Sequence, residues 1–390
     1  MATVETLTSA PIPSSAAWFQ IGKRPLLASN KEGFPSKKVA SMPEFVTFDA
    51  SKHLEFTPPS KLYTMEELGF SGSKGVSPIG VSEPFSLFSA EAVQQMRKEI
   101  LNPEVRKKYE YSSDLAQCQL RGYAADCAPF IYDAWKSPET LEIVSSIAGV
   151  DLVPAMDFEI GHINFSVSSE EDKSRDLAAA AENKERKARG ELQEDESPIV
   201  DWHTDSYPFV CVTMLSDCTN MIGGETALRN GNGEVVKVRG PQMGSAVILQ
   251  GRYIEHKALR ALGMTERITM VTSFRPRSSS IKDDSVLTTV RPVSILGDLY
   301  HQFAEYRFEM LQDRFRDANR FMRDQKRARR QFDTASLKLF IREQIDFLEH
   351  MDKEIVEDDK VQKGMSDGNH LRSDELKQQW NKKQLHTAKK

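Results

Sequence analysis

Three side chains in this 390-residue chain have the types and spacing of a metal-binding set. His203 and Asp205 stand two apart in the phrase DWHTDSYPF. On an extended strand, residues i and i+2 project from one face, so an imidazole and a carboxylate converge on one point. A lone strand histidine is usually a hydrogen-bonded structural residue, and His-x-Asp by itself is commonplace. Here the context adds a second imidazole, His256 in QGRYIEHKAL, 51 residues beyond Asp205. Two imidazoles and one carboxylate leave three positions open on an octahedral ion. That suits Fe(II) with a bidentate cosubstrate and O2, and a zinc hydrolase tolerates the same ligands. Arg267 and Thr269 follow in ERITMVTSF, where strand alternation places them on one face and Ile268 and Met270 on the other. A guanidinium fork beside a hydroxyl grips the far carboxylate of a dicarboxylate, which hydrolytic zinc sites do not need.

Weaker candidates surround this set. Asn164, two beyond His162 on an earlier strand, is either a cosubstrate or substrate contact or a structural hydrogen-bonding residue. Arg275 shares the alternation of Arg267 and either holds a substrate carboxylate, anchors the cosubstrate or forms a surface ion pair. Tyr207 reads as a pocket-wall residue. Ile345 or Phe347 either caps the mouth of the site or packs the last helix on the core.

The elements that must position these residues change character along the chain. PFSLFSAEAVQQMRKEIL sets Phe88, Ala92, Val93, Met96 and Ile100 at helical spacing behind a Ser89 N-cap, and Ser137-Pro138 opens a second helix that Gly149 closes. From about 150 to 277, short apolar runs alternate with turns, and Asn230-Gly231-Asn232-Gly233 marks a hairpin. Such spacing without intervening helices predicts an antiparallel sandwich or barrel. From about 297 to 355 the pattern is helical again, with Leu337, Phe340, Ile341, Ile345 and Leu348 as one apolar stripe that packs on the barrel. The expected organisation is a leader over 1–50, one domain over 51–350 and a polar tail over 356–390. Residues 170–196 hold 16 charges in 27 positions and read as an excursion between strands, either a lid or an inert insertion.

Composition narrows the classes further. A net charge of −5 gives no electrostatic reason to expect nucleic acid, and the arginine-rich run 314–330 is diluted by Asp313, Asp317 and Asp324 as on a solvated helix face. No apolar run reaches the roughly 18 to 20 residues of a membrane span. Without a secretory leader pattern, and with four cysteines that form no CxxC pair, a cytoplasmic address with reduced thiols is expected.

The ordered set His203, Asp205, His256, Arg267 and Thr269, with GGET at 223–226, resembles the Fe(II)/2-oxoglutarate-dependent dioxygenases of the phytanoyl-CoA and prolyl hydroxylase type. The resemblance covers about 150–277. EPFSLFSAEAV, APFIYDAW and EIGHINFSV further look like fungal members of amino-acid-derived secondary metabolism. It implies an α+β chain with a double-stranded β-helix, a cupin-like jelly-roll, flanked by N- and C-terminal helices. It also implies that His203, Asp205 and His256 hold Fe(II), and that Arg267 and Thr269 bind 2-oxoglutarate. The implied reaction consumes O2, releases succinate and CO2, and oxidises a small molecule by hydroxylation, desaturation or ring closure. A protein or peptide side-chain hydroxylase with the same centre, and a non-catalytic jelly-roll, are the alternatives.

Overall fold

The computed structural model describes residues 46–113, 118–167, 198–219, 221–238, 242–259 and 261–364, with a few positions between 171 and 178. Most of the leader, the excursion and the tail therefore lie outside the described residues, as does the question of a lid.

Among the described residues, eight strands of the middle of the chain form the two sheets that frame the site. They are β1 (His162–Val167), β2 (Pro198–His203), β3 (Phe209–Met214), β4 (Thr226–Arg229), β5 (Val235–Val238), β6 (Ser245–Leu249), β7 (His256–Leu259) and β8 (Glu266–Pro276). One antiparallel sheet runs β6-β3-β8-β1 and the other β5-β4-β7-β2. The larger sheet is extended beyond β6 by Phe85–Phe88 and Leu54–Thr57, and beyond β1 by Gln119–Leu120. The architecture is thus a mixed one of helices and antiparallel sheet. The β4–β5 hairpin turns at Asn230–Gly233, where the Gly233 N–H donates to Asn230 O and Gly233 takes a φ of 82° that a side chain would resist.

Alternation along β8 explains how the larger sheet is held. Ile268, Met270 and Phe274 are buried in the main core, against α1 (Ala90–Ile100), α2 (Pro129–Lys136) and α3 (Pro138–Ala148). Trp135 of α2 is fully buried, and its indole N–H donates to Met270 Sδ at 3.1 Å. Helix α1 starts at Ser89, whose Oγ accepts the Ala92 N–H, and its buried face is Ala92, Val93, Met96 and Ile100, as the spacing predicts. Helix α3 is capped by Ser137 and closed by Gly149 in the left-handed conformation. Phe88, set at helical spacing by the sequence, instead ends a strand, Phe85–Phe88, which pairs with β6 and Leu54–Thr57.

Two long helices follow, α4 (Leu296–Arg327) and α5 (Thr334–Glu354). The α5 stripe expected to pack inward is largely turned out: Ile341, Ile345 and Leu348 are exposed, whereas Gln344, Phe347, Met351 and Glu354 are buried. The rotation has an electrostatic reason. Arg291 and Arg307 are buried beneath α5, where their donors need acceptors away from water, and the partly buried Arg314 lies beside them. Arg291 pairs with Glu354 at 2.9 Å, Arg307 donates to Phe347 O, and Arg314 donates to Gln344 Oε1. Glu354 also accepts the Leu287 N–H at 2.6 Å. Glu354→Ala strands a buried guanidinium and should cost about 3–5 kcal/mol in urea unfolding, with Glu354→Gln losing less. A loss below about 1 kcal/mol, the scale of an exposed pair, would show that this ion pair does not anchor the helix.

Candidate metal centre

His203 closes β2 and His256 opens β7, and the two are directly paired across the smaller sheet. Cross-strand partners project from the same face, which sets the imidazole centroids 4.4 Å apart. Asp205 lies just past β2, where its N–H donates to Gly251 O at 2.9 Å in the bend that precedes β7. One nitrogen or oxygen from each of the three side chains falls within 4.8 Å of the others. Asp205 Oδ1 is 3.6 Å from His203 Nε2, and Oδ2 is 3.4 Å from His256 Nε2.

Hydrogen bonding decides what these atoms face each other with. His256 Nδ1 is 2.9 Å from Ile254 O. A carbonyl only accepts, so Nδ1 carries the proton and Nε2 presents its lone pair. That lone pair points toward a carboxylate oxygen that is itself buried without a hydrogen-bond partner. Two acceptors held at this distance repel unless a cation lies between them. Burial raises the Asp205 carboxyl, but positive charge on the His256 and His203 rings when they are protonated, with a hydrogen bond from His203, outweighs it and holds it below the ordinary carboxylate range. Burial lowers His256. Ionised carboxylate and neutral imidazole are the forms that bind a metal. The donor set therefore fits a divalent ion of the Fe(II) or Zn(II) type.

The space around Asp205 is shaped by Gly251, which sequence reading passed over. A Cβ there would fall 1.8 Å from Asp205 Oδ2 and 3.0 Å from Asp205 Cβ. The role was not legible because it depends on a contact between residues 46 positions apart.

The face of β8 that bears Arg267 and Thr269 also bears Val271, which packs with Leu228 and Ile254 between the sheets. Arg267 and Thr269 thus look toward the smaller sheet. Asn164 is the direct partner of Thr269 on β1 and shares that face. Arg267 is partly buried, its Nε is shielded from water and has no hydrogen-bond partner among the described residues, and burial lowers its pKa from the usual arginine value. Such a donor is set for an acceptor that the described residues do not supply.

The remaining candidates are placed differently. Arg275 Nε donates to Ala155 O at 3.3 Å, and the guanidinium lies over the Tyr306 ring. Tyr207 is fully buried and donates to Glu159 Oε1 at 2.9 Å. Phe347 packs in one cluster with Tyr207, Leu287 and Phe303, whereas Ile345 is 48% exposed.

A buried network that the sequence did not signal lies behind the centre. Arg121 pairs with Glu159, and Arg121 Nη1 is 3.1 Å from His162 Nδ1. Guanidinium only donates, so Nδ1 accepts and His162 Nε2–H donates to Gln119 Oε1 at 2.9 Å. Burial and the Arg121 charge hold His162 well below the ordinary imidazole range. In the unfolded chain that imidazole titrates near 6.5. Between the two values the unfolded state binds a proton that the folded state does not, so stability falls as pH falls below about 6.5. Metal-free protein taken one unit below that value should lose roughly 1 kcal/mol in urea unfolding, and His162→Gln should lose less. Equal acid sensitivity in the two proteins would remove His162 as the cause.

No protein-family model and no curated protein matches the sequence. Among solved structures the chain is similar to a 2OG-Fe(II) oxygenase family oxidoreductase from Burkholderia pseudomallei, at 13% identity over 42% of this chain and 65% of that one, with a TM-score of 0.27. It is also similar to AviO1 from Streptomyces viridochromogenes Tue57, at 12% identity over 56% of this chain and 97% of that one, with a TM-score of 0.34. A prolyl-4-hydroxylase from Pseudomonas putida matches at 14% identity over 48% of this chain and 88% of that one, with a TM-score of 0.28.

Proposed function

We propose that this chain is a non-haem Fe(II)- and 2-oxoglutarate-dependent oxygenase with a double-stranded β-helix core. The reading rests above all on the acceptor pair at His256 and Asp205, which calls for a cation, together with Arg267, whose Nε is shielded from water with no hydrogen-bond partner among the described residues. The strand order supports the core assignment, since β1, β3, β6 and β8 lie in one sheet and β2, β4, β5 and β7 in the other. An open-sided divalent ion supplies a place where 2-oxoglutarate and O2 meet.

The chain's own residues then have definite tasks. The His256 bond to Ile254 O fixes the tautomer that leaves Nε2 available, and Gly251 leaves Asp205 room to turn its carboxylate to the same point. Arg267 and Thr269 hold the far carboxylate of the cosubstrate, with Asn164 alongside. Their enclosure excludes water, which strengthens the charge-assisted bonds. The substrate we assign is a small molecule, an amino acid or amino-acid-derived metabolite of secondary metabolism, with Arg275 as a carboxylate partner. Among the described residues no helix is long and apolar enough to cross a membrane.

Adding Fe(II) and 2-oxoglutarate without oxygen should give a weak visible charge-transfer band that His203→Ala lacks. Admitting O2 should release succinate faster with a free amino acid than with peptides. No band together with no iron retention would sink the reading, and stimulation by peptides alone would move the substrate to a protein side chain.

A further inference from the structure

The outer half of the α4–α5 hairpin has no core of its own. Between Phe315 and Glu343 no described residue is buried, yet this stretch carries Phe321, Met322, Phe332 and Leu337. Isolated helix turns without a buried face are marginal in water, and clustered exposed aromatics mark an interaction surface. These four side chains and Phe340 line a groove of about 1260 Å³ that runs from the hairpin tip toward the loop at Asp283.

We propose that this groove is the interface between two copies of the chain, packed as antiparallel hairpins in a four-helix arrangement. Two observations single out a second copy. First, projection and recess sit on one surface: Phe332 is 62% exposed and Phe321 58%, and both border the groove that a partner's phenyl rings would fill. A self-complementary patch is what a two-fold interface requires. Second, the groove walls carry charge of both signs, unevenly placed. Lys326 and Arg330 line the tip with Asp333, whereas Asp317, Glu343 and Asp346 line the inner part with Arg314 and the pairs Arg307–Asp283 and Lys282–Asp284; Lys326, Arg330, Glu343 and Asp346 have no ion pair among the described residues. A two-fold that lays each tip on the partner's inner part brings opposite charges together at both ends, whereas tip against tip sets like charges face to face.

Sedimentation velocity of the full chain at micromolar concentration should give twice the 44.1 kDa chain mass, with dissociation promoted by salt. Phe332→Asp should weaken the dimer about 100-fold while leaving circular dichroism and succinate release unchanged. Arg330→Glu and Glu343→Arg should each weaken it roughly tenfold. Mixing those two variants should restore a heterodimer, because each faulty position then meets its opposite. A monomeric wild type would overturn the proposal. So would a dimer indifferent to Phe332→Asp, or variants that do not rescue each other. The inference is independent of the oxygenase reading, which these outcomes leave untouched.

Discussion

Gly251→Ala should abolish stoichiometric metal binding in a protein that still folds. The added methyl would sit 1.8 Å from Asp205 Oδ2, 2.7 Å from its Cγ and 3.0 Å from its Cβ. Rotating the end of the side chain does not relieve a clash that reaches Cβ, and the Asp205 N–H bond to Gly251 O ties the two backbones together. Gly251 does not use a left-handed conformation, so alanine adds no backbone strain. The damage is confined to a ligand that must swing away, and affinity should fall by on the order of 100-fold or more. Anaerobic titration with Fe(II), or with Co(II) as a spectroscopic substitute, measures this directly. Wild-type affinity in Gly251→Ala would mean that Asp205 is not a ligand in the orientation described.

The second large effect is expected at Arg267. Its Nε is buried without a partner, so the folded chain bears the cost of an idle donor. Replacing it with methionine removes that cost and should leave the thermal midpoint unchanged or higher. On the proposed function, the same change would also remove a charge-assisted bond to the far carboxylate, worth about 1.5–3 kcal/mol. The KM for 2-oxoglutarate should therefore rise roughly 100-fold while kcat at saturation changes little. Opposite signs for stability and cosubstrate affinity separate a binding role from a structural one. A destabilised variant with unchanged KM would assign Arg267 to packing.

Local rules made several parts of this molecule readable before folding. Ser89 and Ser137 mark helix starts because a side-chain oxygen caps a nearby N–H whatever the rest of the chain does. The same holds for the turn at Asn230–Gly233. The centre was readable for a related reason: the i, i+2 spacing pointed to His203 and Asp205 sharing one point, although β2 ends at His203 and Asp205 is held instead by its N–H bond to Gly251 O, a long-range contact like the pairing that brings in His256. What escaped was decided by distant partners. The apolar stripe Ile341–Ile345–Leu348 is as regular as the one through Phe347 and Met351, and the choice between them was made by arginines that lie beneath α5. The strand at Phe85–Phe88 was hidden because its partners lie on either side of it in the sheet. The Arg121–Glu159 pair joins positions that no short motif connects.

The pairing of His203 with His256 has a further consequence for the free chain. An ion that ligates both closes a loop of about 50 residues, which contains both hairpin strands of the smaller sheet. It thus acts as a reversible cross-link, withdrawing freedom from the open chain as a covalent bridge does and adding about 2.7 kcal/mol at a hundredfold excess over its dissociation constant. With a divalent ion bound there, the lifetime of this part of the fold would follow metal supply, before any substrate is considered.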